Sequence, residues 1–268
     1  MPKQFTDADT EKYYNTVEIQ YEIPWNQDGS KHWGYFENLD APDEEKELFR
    51  ASDRWNDYML DTSAIAADSR VLEIGCGNGN AAIYLAQKTG CEVAGIDISE
   101  THISNSQAKA ADFPSLRLSF HKASATELPF PDNSFTHVWS QGTLLHIHER
   151  DLALKEAYRV LKKDGVLIFD DLVALVPAFS ESTLKYVMER MRLSELFSPQ
   201  SYESSLGQLG FEILESKDLN LHLQKTYAIQ SLRVREQDPE RSLAYEKTGA
   251  AVAAGEIGWW FCHCQKVV

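Results

Sequence analysis

The segment Val71-Leu72-Glu73-Ile74-Gly75-Cys76-Gly77-Asn78-Gly79 constrains this chain more than any other. An apolar run broken by one acid ends in three alternating glycines, and a helical pattern follows at Asn80-Ala81-Ala82-Ile83-Tyr84-Leu85-Ala86. The pattern predicts a buried strand, a tight loop and a helix N-terminus. Glycines let the backbone turn sharply and let a ligand approach with no Cβ in the way. A chain of 268 residues can bury a full core around such a unit, as one large domain or a domain with an attached cap.

From 70 to 170 short apolar strands alternate with amphipathic helices, as in a parallel sheet covered on both faces. Strands are expected at 70–75, 92–97, 116–121, 135–140 and 165–170, with helices near 79–89, 100–111 and 149–161. After Asp170-Asp171 the rhythm breaks. Residues 171–210 read as helical, with Ser180 as a cap and Ser198-Pro199 opening a second helix. A strand at 211–216, a long helix around 220–248 and a strand at 257–267 complete the chain. About 40 residues before the sixth strand are too many for a plain connection, so they read as a helical cap over the site.

Composition narrows the partners. The net charge is −15, with 26 Lys and Arg against 41 Asp and Glu. A nucleic-acid partner needs basic patches, and the one doublet is Lys162-Lys163, so none is expected. An acidic field favours a cationic or neutral partner. No apolar run is long enough to cross a bilayer, and Met1-Pro2-Lys3-Gln4-Phe5-Thr6-Asp7 lacks an apolar signal region, so a cytoplasmic protein is expected. Cys262-His263-Cys264 has no second cysteine pair to complete a metal set, and neighbouring strand residues alternate faces. Reduced structural cysteines and no metal are expected.

Three details separate the glycine loop from a dinucleotide motif. Asn80 takes the place of the third dinucleotide glycine. Glu73, at the strand end, can act through water on a cationic ligand but would repel a pyrophosphate. Cys91-Glu92-Val93-Ala94-Gly95-Ile96-Asp97 forms a second strand ending in an acid, and Asp97 lies 20 residues beyond Gly77, the spacing at which a carboxylate takes ribose hydroxyls. With these residues the chain resembles the class I S-adenosylmethionine-dependent methyltransferases. The resemblance continues through Leu128-Pro129-Phe130-Pro131-Asp132-Asn133-Ser134-Phe135. It departs at Ser124, where the family commonly has an aspartate facing the adenine amino group. A serine hydroxyl can accept that hydrogen bond, and the Ala125 or Thr126 N–H can meet a ring nitrogen.

Ser140-Gln141-Gly142-Thr143-Leu144-Leu145-His146 resembles a stretch of the glycine/sarcosine/dimethylglycine and phosphoethanolamine methyltransferases, with Gly142 in place of an aspartate. Tyr13-Tyr14, Trp25 and His32-Trp33-Gly34-Tyr35 resemble the N-terminal segment of sarcosine/dimethylglycine and tocopherol methyltransferases. The resemblance spans roughly 12–170. It implies an α/β, Rossmann-like, doubly wound, seven-stranded, mostly parallel sheet with its last strand antiparallel, an N-terminal helical lid and a helical cap insertion. The chain then divides into an aromatic-rich lid at 1–60, a cofactor-binding core at 61–170, a cap at 171–210 and a sheet-completing part at 211–268.

The implied cofactor is S-adenosylmethionine, held by Glu73, Gly75, Cys76, Gly77, Asn80, Asp97, Ile98, Ser124, Ala125, Thr126, Ser140 and Gln141. Seven aromatics fall between 13 and 36, where the average content of 11% would put about three. They form either a helix packed on the sheet edge or a lid closing the pocket of a small-molecule acceptor, for which Tyr13, Tyr14, Tyr21, Trp25, His32, Trp33 and Trp259 are the candidates. His146 is the candidate catalytic residue, as a group titrating near neutrality that can take or orient a proton; otherwise it only hydrogen-bonds within its loop. Transfer to an amine nitrogen is the expected reaction. O- or C-methylation of a natural product is the runner-up, followed by a cofactor-binding protein without turnover and an NAD-linked reductase.

Overall fold

The computed structural model describes residues 5–20 and 32–267. Seven strands, β1 Arg70–Ile74, β2 Glu92–Asp97, β3 Arg117–Lys122, β4 Phe135–Gln141, β5 Leu161–Ala174, β6 Phe211–Asp218 and β7 Ile257–Lys266, form one sheet in the order β3-β2-β1-β4-β5-β7-β6. β1 to β5 pair in parallel, and β7 runs antiparallel to both β5 and β6. This is the expected Rossmann-like sheet. Its strand order reverses between β1 and β4, and that crevice is where open α/β sheets bind ligands.

Helices α1 Asp7–Gln20 and α2 Glu45–Ser63 precede the sheet; α3 Asn80–Thr89, α4 Glu100–Ala110 and α5 Arg150–Val160 connect its parallel strands. Alternation along the strands divides the core between two faces. Val71, Val93, Trp139, Ile168 and Phe261 join one buried cluster with Trp55 and Met59 of α2. Leu72, Ala94, Val138, Leu167, Phe169 and Cys262 join the other with Leu154 and Ala157 of α5. Each fully buried large side chain contributes about 1.5–3 kcal/mol relative to exposure. Both faces are therefore covered, as the near-continuous apolar strands require.

Three elements differ from the pattern read in the sequence. β5 runs on past residue 170, because Leu172 and Val173 are buried and Asp171 to Ala174 continue the ladder with Trp260 to Ile257. The 171–210 stretch is thus helical only after residue 180, in α6 Glu181–Thr183, a π-helical turn Leu184–Glu189 and α7 Pro199–Leu209. The long helix expected at 220–248 is two helices, α8 Asn220–Val234 and α9 Pro239–Ala253, packed on each other. Pro239 cannot donate to a preceding turn, and the Asp238 side chain accepts from Arg241 N at 2.9 Å to start a new helix. Cys262 and Cys264, two apart on β7, are buried thiols on one face. No helix among the described residues is long and apolar enough to cross a membrane.

The N-terminal helix lies across the C-terminal strand ends. At its start, Phe5 N donates to Ser194 Oγ at 2.7 Å. Further along, Glu11 pairs with Lys122 at 2.8 Å, at the end of β3, and Asn15 Oδ1 accepts from Ser99 Oγ at 2.6 Å, just before α4. These anchors stretch α1 over the crevice between β1 and β4.

Candidate active site

A cavity of about 230 Å³ opens beneath α1 at the switch point. Its floor is the glycine loop. Gly75, Gly77 and Gly79 take φ of +74°, +50° and +78°, a region costly for other residues. Gly75 N and Cys76 N both donate to Ile96 O, at 2.8 and 2.9 Å, which folds the loop against the end of β2. A Cβ on Gly75 would stand 2.2 Å from Thr143 Oγ1, so the loop touches the segment after β4 directly. A Cβ on Gly77 would meet nothing within 4 Å, which leaves its backbone open to a ligand.

Two carboxylates flank the loop. Asp97 accepts from Gly77 N at 3.0 Å through Oδ2 and from Ser99 N at 2.8 Å through Oδ1, leaving further lone pairs on each oxygen. The buried ring of His102, in the first turn of α4, stands 3.3 Å from Asp97 Oδ2. Glu73 is buried, and its Oε2 has no hydrogen-bond partner among the described residues. Burial pushes its carboxyl up to about 8, the neighbouring Asp97 charge adds to the rise, and the Ala82 N–H opposes it. An orphaned buried carboxylate oxygen costs free energy unless a ligand or water meets it. This donor set fits S-adenosylmethionine: hydrogen-bond acceptors at Asp97 for ribose hydroxyls, a bare backbone at Gly77, and Glu73 for a cationic end.

Of the residues singled out in the sequence, Tyr13, Tyr14, His32, Trp33, Glu73, Gly75, Cys76, Gly77, Asn80, Asp97, Ile98, Ser124, Ala125, Gln141 and His146 line this cavity. Three do not. Ser140 is fully buried and its hydroxyl donates to Ile74 O at 3.2 Å, so its side chain points into the sheet. Thr126 Oγ1 is taken up at 2.8 Å by Ser124 Oγ. Trp259 lies behind the wall, packed edge-on against Trp33 and Trp55 with ring centroids 5.4 and 4.8 Å away. Tyr21 and Trp25 lie outside the described residues.

His146 closes a 3₁₀ turn, Leu144–His146, and its Nε2 is 2.6 Å from the Tyr14 hydroxyl across 132 residues of sequence. The two rings meet edge-on at 5.1 Å, and Tyr14 also leans on His102 at 5.5 Å. Sequence reading missed His102, although its place three residues after the Ser99 cap, Ser99 Oγ accepting from His102 N at 3.2 Å, marks it as a first-turn residue beside Asp97. It also missed Arg190, Met191 and Tyr227, which reach the cavity from the π-helical region and α8. No local motif marks them. The Arg190 guanidinium donates to Tyr186 O at 2.8 Å and to Thr248 Oγ1 at 3.3 Å.

Glu73 has a consequence for stability. Burial also raises Asp170, to about 7, against donation from the Trp55 indole, and Asp171, to about 6, against the Arg150 charge. An acid raised on folding binds more protons native than unfolded, so stability is lost as pH rises from the ordinary carboxylate range through these values. The ligand-free protein is therefore expected to melt at lower temperature at about pH 8.5 than at about pH 5.5, with 2–4 °C for each kcal/mol lost. Glu73→Gln is expected to flatten the upper part of that fall in thermal unfolding curves. An unchanged slope would show that Glu73 is already ionised.

A family model described as a methyltransferase domain matches residues 72–169. The glycine/sarcosine/dimethylglycine N-methyltransferase of Actinopolyspora halophila is 31% identical over 234 residues, covering 82% of this chain; the chain spans 41% of that protein's length. The 27-O-demethylrifamycin SV methyltransferase of Amycolatopsis mediterranei is 34% identical over 203 residues, which cover 73% of this chain and 71% of that protein. Among solved structures, a geranyl diphosphate C-methyltransferase from Streptomyces coelicolor superposes over 100% of both chains with a TM-score of 0.83 at 15% identity, a likeness of fold.

Proposed function

This chain belongs to the S-adenosylmethionine-dependent methyltransferases, and from that premise we propose that it methylates an oxygen of a small, largely apolar hydroxyl compound, with the Tyr14–His146 pair receiving the hydroxyl proton. The donor is held by Glu73, Gly75, Cys76, Gly77, Asn80, Asp97, Ile98, Ser124, Ala125 and Gln141, all of which line the cavity. When bound, it supplies an electrophilic sulfonium methyl. The chain's own work is to exclude water, hold the acceptor in line and take one proton.

The observation that carries the reading is the 2.6 Å contact between Tyr14 Oη and His146 Nε2 in the cavity wall. Imidazole is the side chain whose ordinary titration lies closest to neutral, so a His–Tyr pair can accept a hydroxyl proton without a metal-sized charge nearby. The α1 contacts described above bring Tyr14 over the crevice, which supports a lid role for this helix. Tyr13, His32 and Trp33 complete its acceptor side in this reading.

The sequence favours an amine acceptor; the cavity wall favours oxygen. An amine arrives as an ammonium ion and needs an anion beside it, yet the carboxylates among the described lining residues are Glu73 and Asp97, both at the glycine loop. Arg190 lines the same cavity with Leu145, Ile147, Met191, Trp33 and Tyr227. The net charge of −15 acts over the surface and is screened within about 8–10 Å, whereas Arg190 is one of the residues that line the cavity itself. The relative named for a 27-O-demethyl substrate supports this choice, and the one named as an N-methyltransferase does not.

Release of S-adenosylhomocysteine across a panel of matched hydrophobic alcohols, phenols and amines tests the reading. Turnover is expected with hydroxyl compounds and not with their amine counterparts. Turnover confined to amines would overturn it, and tight donor binding with no release from any acceptor would make the chain a binding protein.

A further inference from the structure

We propose that Arg150 and Asp171, with Tyr202 behind them, are positioning residues that hold the turn carrying His146 and fix it against the glycine loop. The expected effect on turnover rests on the reading of His146 given above; the clamp itself does not. Asp171 Oδ1 accepts from Leu145 N at 3.0 Å. Arg150 Nη2 donates to Leu145 O at 3.1 Å, and Nε to Leu144 O at 2.7 Å. Both polar groups of the Leu144–Leu145 peptide, and the Leu145 carbonyl of the next one, which leads into His146, are thus gripped by a buried anion and a buried cation.

Each grip is itself braced. Asp171 stands in β5 opposite Trp260, so the sheet ladder sets its position. Tyr202 of α7 donates its hydroxyl to Asp171 Oδ2 at 2.5 Å, and its ring stacks on Trp260. The Arg150 guanidinium lies 4.5 Å over the Phe197 ring. Asp171 and Tyr202 are fully buried, and Arg150 is 2% exposed. Charges taken so far from water are costly, and an apolar cluster of similar volume serves stability as well or better. A charged arrangement that aims at main-chain groups of one turn serves geometry.

Arg150 also reaches the lid. Its Nη2 donates to Glu195 O at 3.3 Å, next to Ser194, whose hydroxyl accepts from Phe5 N at the start of α1. One arginine therefore ties the His146 turn to the anchor of the helix that brings Tyr14. On the other side, Thr143 packs on Gly75 with no room for a Cβ between them. The clamp sets His146 relative to Tyr14 and to the donor loop together, and displacements of about 1 Å in such a constellation can cost about 10²-fold in rate.

The test reads the His146 ring rather than turnover. ¹⁵N ring signals of His146, assigned by their loss in His146→Ala, are recorded in protein saturated with S-adenosylhomocysteine, for wild type, Asp171→Asn and Tyr202→Phe. Both variants are expected to move these signals toward those of a free imidazole, while affinity for S-adenosylhomocysteine stays within about twofold. Tyr202→Phe keeps the ring packing, so it serves if Asp171→Asn does not fold. Unmoved His146 signals in a folded variant, or an equal loss of S-adenosylhomocysteine binding, would overturn the clamp. Should the signals move while His146→Ala leaves turnover in the acceptor panel unchanged, the clamp stands and the assignment of His146 as proton acceptor falls.

Discussion

Replacing His146 by alanine is expected to lower methyl-transfer turnover by about 10²–10⁴-fold, the range of a positioned general base. Binding of S-adenosylhomocysteine should remain near wild type, because Asp97, Glu73 and Gly77, proposed to hold the donor, lie on other segments. The size of the loss follows from the acceptor. A hydroxyl is a poor nucleophile until its proton leaves, and His146 is the imidazole that meets the Tyr14 hydroxyl at 2.6 Å on this wall. Leu145, Ile147 and Met191 have no proton-accepting group, and Arg190 is a cation. Tyr14 is left in the variant, but its hydroxyl has lost its imidazole partner at 2.6 Å. The measurement is steady-state release of S-adenosylhomocysteine at saturating donor, with calorimetry of product binding beside it. Equal losses in both would point to a collapsed cavity instead of a missing base.

Asp97→Ala is expected to lower donor affinity by about 10²-fold and to destabilise the glycine loop and the start of α4 as well. The carboxylate has two structural tasks, accepting from Gly77 N and Ser99 N, and each hydrogen bond to a charged group is worth about 1.5–3 kcal/mol. Removing it frees the Gly77 N–H and loosens the start of α4. It also removes the proposed acceptors for ribose hydroxyls. A loss of about 3 kcal/mol in binding corresponds to the 10²-fold expected. Asp97→Asn should be milder, since an amide oxygen can still accept one of the two N–H groups. Titration calorimetry with S-adenosylhomocysteine reads both variants. Wild-type affinity in Asp97→Ala would remove this residue from the donor site.

The sheet was legible because its signals are local. Glycines 75, 77 and 79 and the apolar runs of β1, β2 and β4 carry both position and type, and helix α3 begins where the loop ends. Where tertiary packing decides, the sequence misleads. Leu172 and Val173 read as the start of a helical stretch, yet pairing with β7 keeps them in β5. The break between α8 and α9 was marked by Asp238-Pro239, a cap followed by a residue without an N–H, and is legible in hindsight. In the site, the residues flanking the glycine loop declared themselves by spacing. Trp259 looked like a wall residue because aromatic content alone cannot tell which face of β7 meets the cavity and which meets Trp55. Arg190 and Tyr227 enter from elements far along the chain and carry no motif. The Arg150–Asp171 clamp is equally silent, since its meaning lies in which backbone groups it touches.

We propose transfer of a methyl group to oxygen, with His146 taking the proton. Its most direct measurement is a single-turnover experiment with methyl-labelled S-adenosylmethionine, the most active alcohol and its matched amine from the panel, in wild type and His146→Ala at full donor occupancy. The expected result is label on the alcohol oxygen, none on the amine, and transfer at least about 10²-fold slower in the variant. Label on the amine nitrogen, or equal single-turnover rates in the two proteins, would contradict it.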